Sequence, residues 1–166
     1  AEGHRDLPVY LLTPKESGAR RAGVLALHGH GAFGYDSVAG VAPTPQHRKA
    51  IESANYDYGL QLVRRGYVVA VPCLTPFGRR LDDPKAYRGE DPCGVTFVRM
   101  QILGKVLIAE NLRDALWSLE LLSRQPNVDS KRLGCVGLSY GGRMTMLTSA
   151  LSPKIRVAVI SGALNV

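Results

Sequence analysis

The stretch Gly137-Leu138-Ser139-Tyr140-Gly141 places a serine between two glycines that each lie two positions away from it. It follows the apolar run Leu133 to Leu138 and precedes a run with helical character, Gly142 to Leu151. Strand, sharp turn and helix in this order form a nucleophile elbow, where small residues are needed because the turn is tight. The pattern predicts that the Ser139 hydroxyl lies at a strand end, above a helix N-terminus whose N–H groups stabilise an anion. A plain glycine turn is the alternative that the motif alone leaves open.

Apolar strands and helices alternate along the rest of the chain. The strands read as continuous apolar runs, which favours a parallel sheet covered by helices on both faces, hence the α/β class in a single domain over 1–166. The long segment 98–123 has helical periodicity, with Trp117 among its packing positions, whereas 35–55 and 74–94 are expected to be irregular, the former because prolines discourage helix. The expected strands are 8–13, 22–27, 67–71, 133–138 and 155–160, with further helices over 58–65 and 142–151 and a turn over 126–132.

Four strand ends carry the conspicuous residues of the sequence. They are His28 to Gly34, Pro72-Cys73, Ser139 and Ser161-Gly162. In open parallel sheets, ligands bind beyond the carboxyl ends of the strands. The sequence therefore predicts one site at this edge of the sheet.

Composition narrows the function classes. The chain has 166 residues, 45% of them hydrophobic, and a formal net charge of +7. Its 21 lysines and arginines are scattered or paired without interleaved aromatics, so no nucleic-acid partner is expected. The apolar runs are far shorter than the ~20 residues of a membrane span, so no membrane partner is expected. Three cysteines without CxxC spacing indicate neither zinc nor a disulfide scaffold, although a Cys73–Cys93 bridge stays open.

The loop Gly29-His30-Gly31-Ala32-Phe33-Gly34 matches GxGxxG after a strand. A dinucleotide site would need a helix to begin at once and an acidic residue at the end of the next strand. We expect loop residues there instead, and the next strand ends at Pro72-Cys73. No cofactor is therefore expected.

His28 and His30 form an HxH pair at a strand end, which could bind a metal, but further ligands are not evident nearby. An oxyanion hole is the better use of this loop, because glycines let backbone N–H groups approach a substrate oxygen. The predicted donors are the backbones of His30 and Gly31, together with Tyr140 after the serine. His28 is expected to be structural.

Several stretches resemble the α/β-hydrolase superfamily, and more narrowly its dienelactone-hydrolase-like and acetyl-esterase-like branch. They are His28-Gly29-His30-Gly31, 66–72, Phe77-Gly78-Arg79-Arg80, the helix 104–122 with Asn111 and Asp114, and 128–134 leading into the elbow. The resemblance covers nearly the whole chain. It implies a serine carboxylesterase of the acetyl-ester type, with Ser139 as nucleophile and Gly137 and Gly141 shaping the elbow.

The chain departs from this family in one respect. The family triad runs Ser, then Asp or Glu, then His, but no histidine follows His47 and no acid follows Asp129. The resemblance thus implies a partial domain that lacks the C-terminal strands. The acid and the histidine would come from a missing segment or a second chain.

Two other functions stay open. The chain could be an inactive hydrolase-like binding or scaffold domain, or a metal-dependent hydrolase using His28 and His30. For the esterase, a small-molecule ester is the expected partner, and the candidate pocket residues are Phe33, Tyr35, Phe77, Arg79 and Arg143.

Overall fold

A five-stranded sheet organises the computed structural model, which describes residues 6–16, 18–31 and 33–163. The strands are β1 (Val9–Leu12), β2 (Arg21–Leu27), β3 (Val68–Pro72), β4 (Val128–Leu138) and β5 (Ile155–Ser161). Their order across the sheet is β1-β3-β2-β4-β5. β1 pairs antiparallel with β3, and the other neighbours pair in parallel. The predicted α/β class with a mostly parallel sheet is confirmed.

Six helices lie within the described residues. They are α1 (Gly34–Ala39), α2 (Pro45–Ala54), α3 (Tyr58–Arg64), α4 (Pro92–Ile102), α5 (Leu107–Ser123) and α6 (Tyr140–Leu151), with short 3₁₀ turns at Gly78–Arg80 and Pro84–Tyr87. α5 and α6 pack on one face of the sheet around Leu25, Leu119 and Met144. α1 and α3 cover the other face around Val38 and Val69. Helices therefore lie on both faces, as predicted.

The prediction of an irregular segment over 35–55 is wrong. Pro45 stands in the first turn of α2, where its missing N–H has no partner to lose. The side chain of Thr44 caps that helix by accepting a hydrogen bond from the backbone of His47. α1 also begins directly after the glycine loop, contrary to expectation, although it has only six residues.

The predicted long helix over 98–123 is two helices, bent by 102° at the break between α4 and α5. Gly104 takes a left-handed φ of 69°, which ends the helical path there. Trp117 does not pack on the sheet as predicted, since 51% of it is exposed and Arg113 lies over its ring. No single helix within the described residues is long and apolar enough to span a membrane, although α4 and α5 together have the length and composition.

Three smaller boundaries also differ from the sequence prediction. β4 begins at Val128, so most of the predicted turn over 126–132 is strand, and a bulge opposite Ala22 and Gly23 absorbs the extra residues. α6 begins at Tyr140 rather than Gly142. The segment 74–94 contains the two 3₁₀ turns and the start of α4.

One face of β5 is uncovered. Val157 and Val159 are 66% and 55% exposed, and they line an apolar groove of about 490 Å³ together with Val24, Leu62 and Val136. Within the described residues β5 pairs only with β4, so its other edge presents unpaired backbone groups. Exposed apolar edge strands promote association between chains.

We predict that replacing both valines, Val157→Lys and Val159→Lys, reduces self-association of the 166-residue chain. Two charges on an edge strand oppose pairing of strands from different molecules. Sedimentation velocity should show the weight-average mass falling toward 18.0 kDa. Leu151→Lys is the matched control, because Leu151 is 62% exposed but lies on α6; an equal fall in that control would contradict the role of β5.

Candidate active site

Ser139 sits at the sharp turn between β4 and α6. Its backbone has φ 58° and ψ −118°, and its side chain is exposed. A non-glycine residue in this region of φ is strained and is retained only where its surroundings enforce it. Here the Ser139 N–H donates to the Ser161 carbonyl at 2.8 Å, and the Arg143 N–H donates to the Ser139 carbonyl at 3.0 Å. The hydroxyl is therefore presented at the helix N-terminus, beyond the carboxyl end of β4.

Glycines allow the elbow to approach its neighbours this closely. A Cβ on Gly141 would lie 1.9 Å from the Leu27 carbonyl oxygen, and one on Gly137 would lie 2.2 Å from the Gly141 carbonyl oxygen. A Cβ on Gly142 would lie 2.4 Å from the Ser161 carbonyl oxygen. All three obstructions are backbone atoms, which cannot rotate away. α6 can therefore begin at this point only if these positions carry no side chain.

The glycine loop after β2 lies beside the serine. A Cβ on Gly29 would lie 2.7 Å from the Leu138 carbonyl oxygen and 3.2 Å from the Ser139 Cβ. The Gly29 N–H donates to the Tyr56 hydroxyl oxygen at 2.9 Å, so this N–H is already used. The Tyr58 hydroxyl donates to the Leu27 carbonyl at 2.7 Å. Two tyrosines thus hold the end of β2 and the start of the loop.

His30 and Gly31 are exposed at the tip of this loop. Among residues 6–16, 18–31 and 33–163, none accepts a hydrogen bond from the backbone N–H of His30, Gly31 or Tyr140. The first N–H groups of a helix have no partner within it, which leaves the Tyr140 N–H free beside Ser139. The assignment of these three groups to an oxyanion hole stays a prediction.

The His28 imidazole is fully buried and both of its ring nitrogens are used. Nδ1 donates to the Gly29 carbonyl at 2.9 Å, and Nε2 accepts from the Leu74 N–H at 2.9 Å. Burial lowers the pKa of His28 to about 4, so the ring is neutral at neutral pH. Because the Nε2 lone pair accepts from Leu74, His28 has no lone pair to offer a metal or a proton in transit. This arrangement matches the structural role expected of His28 and extends it to the end of β3.

The other described histidines do not bond to Ser139. His30 Nε2 lies 3.3 Å from the Cys93 thiol, and His47 Nδ1 lies 2.7 Å from the Thr44 hydroxyl. His4 lies outside the described residues. Within the described part of the chain no group of three or more His, Cys, Asp or Glu side chains could hold a metal.

Aromatic rings cluster beside the elbow. The centre of the His30 ring lies 4.9 Å from the centre of the Tyr140 ring and 5.4 Å from the centre of the Phe77 ring. Of the other candidate pocket residues, Tyr35 is buried against Tyr10, with ring centres 4.7 Å apart, so it does not line an open pocket. Phe33 stacks on His47, while Arg79 and Arg143 are exposed.

The cysteines stay unbridged. Cys73 is buried with its thiol donating to the Phe77 carbonyl at 3.0 Å, and Cys93 faces His30. Cys135 is buried in β4, where burial raises the pKa of its thiol to about 12. It therefore serves as a core residue.

Sequence reasoning underused the polar residues of α5. Asn111, Asp114 and Ser118 are buried on the face that also carries Leu107, Ala115 and Leu122. Asp114 pairs with Arg80, which also donates to the Cys73 carbonyl at 3.2 Å. Polar residues repeating at helical intervals within an apolar stripe were the signal that could have revealed them. Asn111 and Asp114 attach α5 to the loop after β3.

Comparison with known proteins identifies the family of the chain. The model of the dienelactone hydrolase family matches residues 8–161. The chain belongs to this family. It is 30% identical over 161 residues to a Bacillus subtilis (strain 168) protein named "Putative hydrolase YtaP", covering 95% of this chain and 48% of that protein. The chain thus spans about half the length of this curated relative.

Solved structures share the fold. A structure from Bacteroides fragilis NCTC 9343, named a "putative acetyl xylan esterase", superposes with a TM-score of 0.76 at 18% identity, covering 90% of this chain and 39% of that one. Acetyl xylan esterase 1 from Thermoanaerobacterium sp. JW/SL YS485 gives 0.62 at 18% identity, covering 94% and 45%. A structure from Klebsiella pneumoniae subsp. pneumoniae MGH 78578, named a "putative dienelactone hydrolase", gives 0.65 at 24% identity, covering 99% and 57%. At these identities the likeness concerns the fold.

We predict that Gly141→Ala destabilises the fold by about 3 kcal/mol or more, since the new methyl group meets the Leu27 carbonyl and the backbone must shift. Urea unfolding at pH 7 measures the change. Gly18→Ala is the control, because a Cβ there has nothing within 4 Å. Equal stability of the two variants would contradict the close approach of α6 to β2.

We also predict that His28 makes stability depend on pH. Burial lowers the pKa of this ring to about 4 in the folded protein, whereas an ordinary histidine has a pKa of 6.5, so the unfolded chain binds the extra proton between these values. Stability is therefore fully present above pH 6.5 and falls by about 3 kcal/mol as the pH drops to 4. When the free energy of unfolding is measured by urea at several pH values from 7 to 4, it should fall less steeply with decreasing pH for His28→Gln than for the parent chain. Parallel slopes would mean that another group controls the titration.

Proposed function

We propose that the chain carries the nucleophile and the oxyanion hole of a serine carboxylesterase of the acetyl-ester type. The single observation that supports this most is the exposed Ser139, which has a φ of 58° at the N-terminus of α6. The glycines around it pack so closely that a Cβ at Gly137 or Gly141 would collide with backbone atoms. Strain of this kind is a cost without benefit in a plain turn. It is useful where a hydroxyl must face a substrate carbonyl.

In the proposed reaction the Ser139 oxygen attacks the ester carbonyl carbon while a histidine accepts the serine proton. The carbonyl oxygen becomes an oxyanion, which accepts hydrogen bonds from the backbone N–H groups of Tyr140 and of the His30-Gly31 loop. The histidine then protonates the departing alcohol. Water next attacks the acyl carbon while the histidine accepts the water proton, and the histidine returns that proton to the Ser139 oxygen as the acid leaves. One oxyanion donor is typically worth ~3 kcal/mol of transition-state stabilisation.

The histidine and the acid are proposed to lie outside these 166 residues. His28 is neutral with both ring nitrogens bonded, and His47 is bonded to its helix cap. We propose that the remaining strands, which continue the sheet at β5, bring both residues to the site, from the same chain or from a second one. Removing one triad member costs about 10⁴ to 10⁶ in turnover. The 166 residues alone should therefore be nearly inactive.

The acetyl-ester preference is proposed from two observations. The rings of His30, Phe77 and Tyr140 pack against one another beside Ser139, and we infer that this cluster limits the size of the acyl group. Structural neighbours of the chain include proteins named acetyl xylan esterases. A small-molecule ester is the proposed substrate, with no cofactor.

An inactive hydrolase-like domain is the second candidate, favoured by the lack of any described histidine bonded to Ser139. The metal-dependent alternative loses support because the Nε2 lone pair of His28 is used by Leu74.

We predict that the complete product of the gene reacts with a fluorophosphonate at one site and that Ser139→Ala abolishes the reaction. Only a serine activated by a neighbouring base reacts quickly. Intact mass spectrometry should show one adduct, which peptide mapping places on Ser139. Ser53→Ala, at an exposed serine on α2, should leave labelling unchanged. Absence of an adduct in the complete product would favour the inactive domain.

A further inference from the structure

Asn111 on α5 is fully buried, and its side-chain amide makes three hydrogen bonds. Its Oδ1 accepts from the Thr75 N–H at 2.8 Å, and its Nδ2 donates to the Thr75 carbonyl at 2.8 Å and to the Tyr140 hydroxyl oxygen at 2.8 Å. An asparagine amide has two N–H donors, and both are used here. Asn111 takes no part in the steps of the proposed reaction.

The two bonds to Thr75 attach α5 to the loop that follows β3. Thr75 is buried, and its backbone N–H and carbonyl are satisfied by the same amide, as a neighbouring strand would satisfy them. Phe77 lies two residues further on and forms one side of the ring cluster at the site. Asn111 therefore fixes the segment from which that ring projects.

The third bond reaches the elbow itself. Tyr140 follows Ser139 directly, is 7% exposed, and begins α6. Burial raises the pKa of Tyr140 to about 12, so its hydroxyl is neutral at neutral pH and accepts the Asn111 N–H. The Tyr140 ring also lies against the His30 ring, with centres 4.9 Å apart. One amide is thus linked to the residues on both sides of the proposed oxyanion hole.

We propose that Asn111 is a positioning residue, which holds Tyr140 and the Thr75 loop so that the Tyr140 N–H and the His30 loop converge on the oxyanion of the substrate. This inference rests on the proposed esterase function. Asn111 does not touch the substrate and acts through Tyr140. Oxyanion donors act by pre-organisation, so a displaced donor loses transition-state binding while substrate binding is retained.

The test compares three variants of the complete gene product. Asn111→Ala removes the whole amide, while Tyr140→Phe removes only the hydroxyl that Asn111 reaches and keeps the ring and the backbone N–H. Ser118→Ala is the matched control, because Ser118 is buried on the same helix but donates within it, to the Asp114 carbonyl at 2.8 Å. Active sites are counted by fluorophosphonate titration before kcat and KM for an acetyl ester are measured.

The deciding measurement is the inhibition constant Ki of an alkylboronic acid, which forms a tetrahedral adduct with a reactive serine and places an oxygen in the oxyanion hole. We expect Asn111→Ala to lower kcat per active site about 10- to 100-fold with KM little changed, and to raise Ki by a similar factor. Tyr140→Phe should change both in the same direction by about three- to tenfold. Ser118→Ala should change neither.

A purely structural role gives a different pattern. If Asn111 only stabilises the fold, its variants lower the number of active sites but leave kcat per site and Ki at the parent values, and this result overturns the inference while the esterase function stands. If Asn111→Ala does not fold, Tyr140→Phe decides alone, because unchanged kcat and Ki in that variant refute the link through Tyr140. If the parent protein neither forms a Ser139 adduct nor hydrolyses acetyl esters, the proposed function fails and this inference fails with it.

Discussion

The approach of α6 to the ends of β2 and β4 is the constraint on which the rest of the site depends. At Gly141 a single added carbon would lie 1.9 Å from the Leu27 carbonyl oxygen, a separation that no packing adjustment of side chains can relieve. The helix therefore starts directly against the sheet. Ser139 lies at the turn between β4 and α6, and its strained backbone is held by hydrogen bonds with Ser161 and Arg143.

A second layer of contacts converts this turn into an ordered site. His28, buried and neutral, bridges the loop after β2 to the end of β3 through its two ring nitrogens. Asn111 and the Asp114–Arg80 pair do the same between α5 and the loop after β3. Burying a polar group is costly unless the group is hydrogen-bonded, and each of these side chains makes at least one bond to a different element. The loops around Ser139 are thereby held in place by buried polar contacts.

The sequence prediction succeeded where a pattern has one physical cause. Continuous apolar runs gave the parallel strands, and the glycine spacing around Ser139 gave the turn, because both patterns are local. The prediction of an irregular segment over 35–55 is wrong because Pro45 lies in the first turn of α2. A proline at that position loses no hydrogen bond. The sequence prediction also merged α4 and α5, because an apolar periodicity continues across Gly104 while the backbone does not.

What the sequence determined by itself was the class of fold, the position of the elbow and the resemblance to hydrolases, since these follow from residue order and spacing along the chain. Only the tertiary structure decided that both nitrogens of His28 are used, that Tyr35 is buried while Phe77 faces the site, and that Asn111 reaches Tyr140. Asn111 and Tyr140 are 29 positions apart, and Thr75 and Asn111 are 36 apart. Contacts at such separations depend on how the helices pack on the sheet, which no local pattern in the sequence encodes.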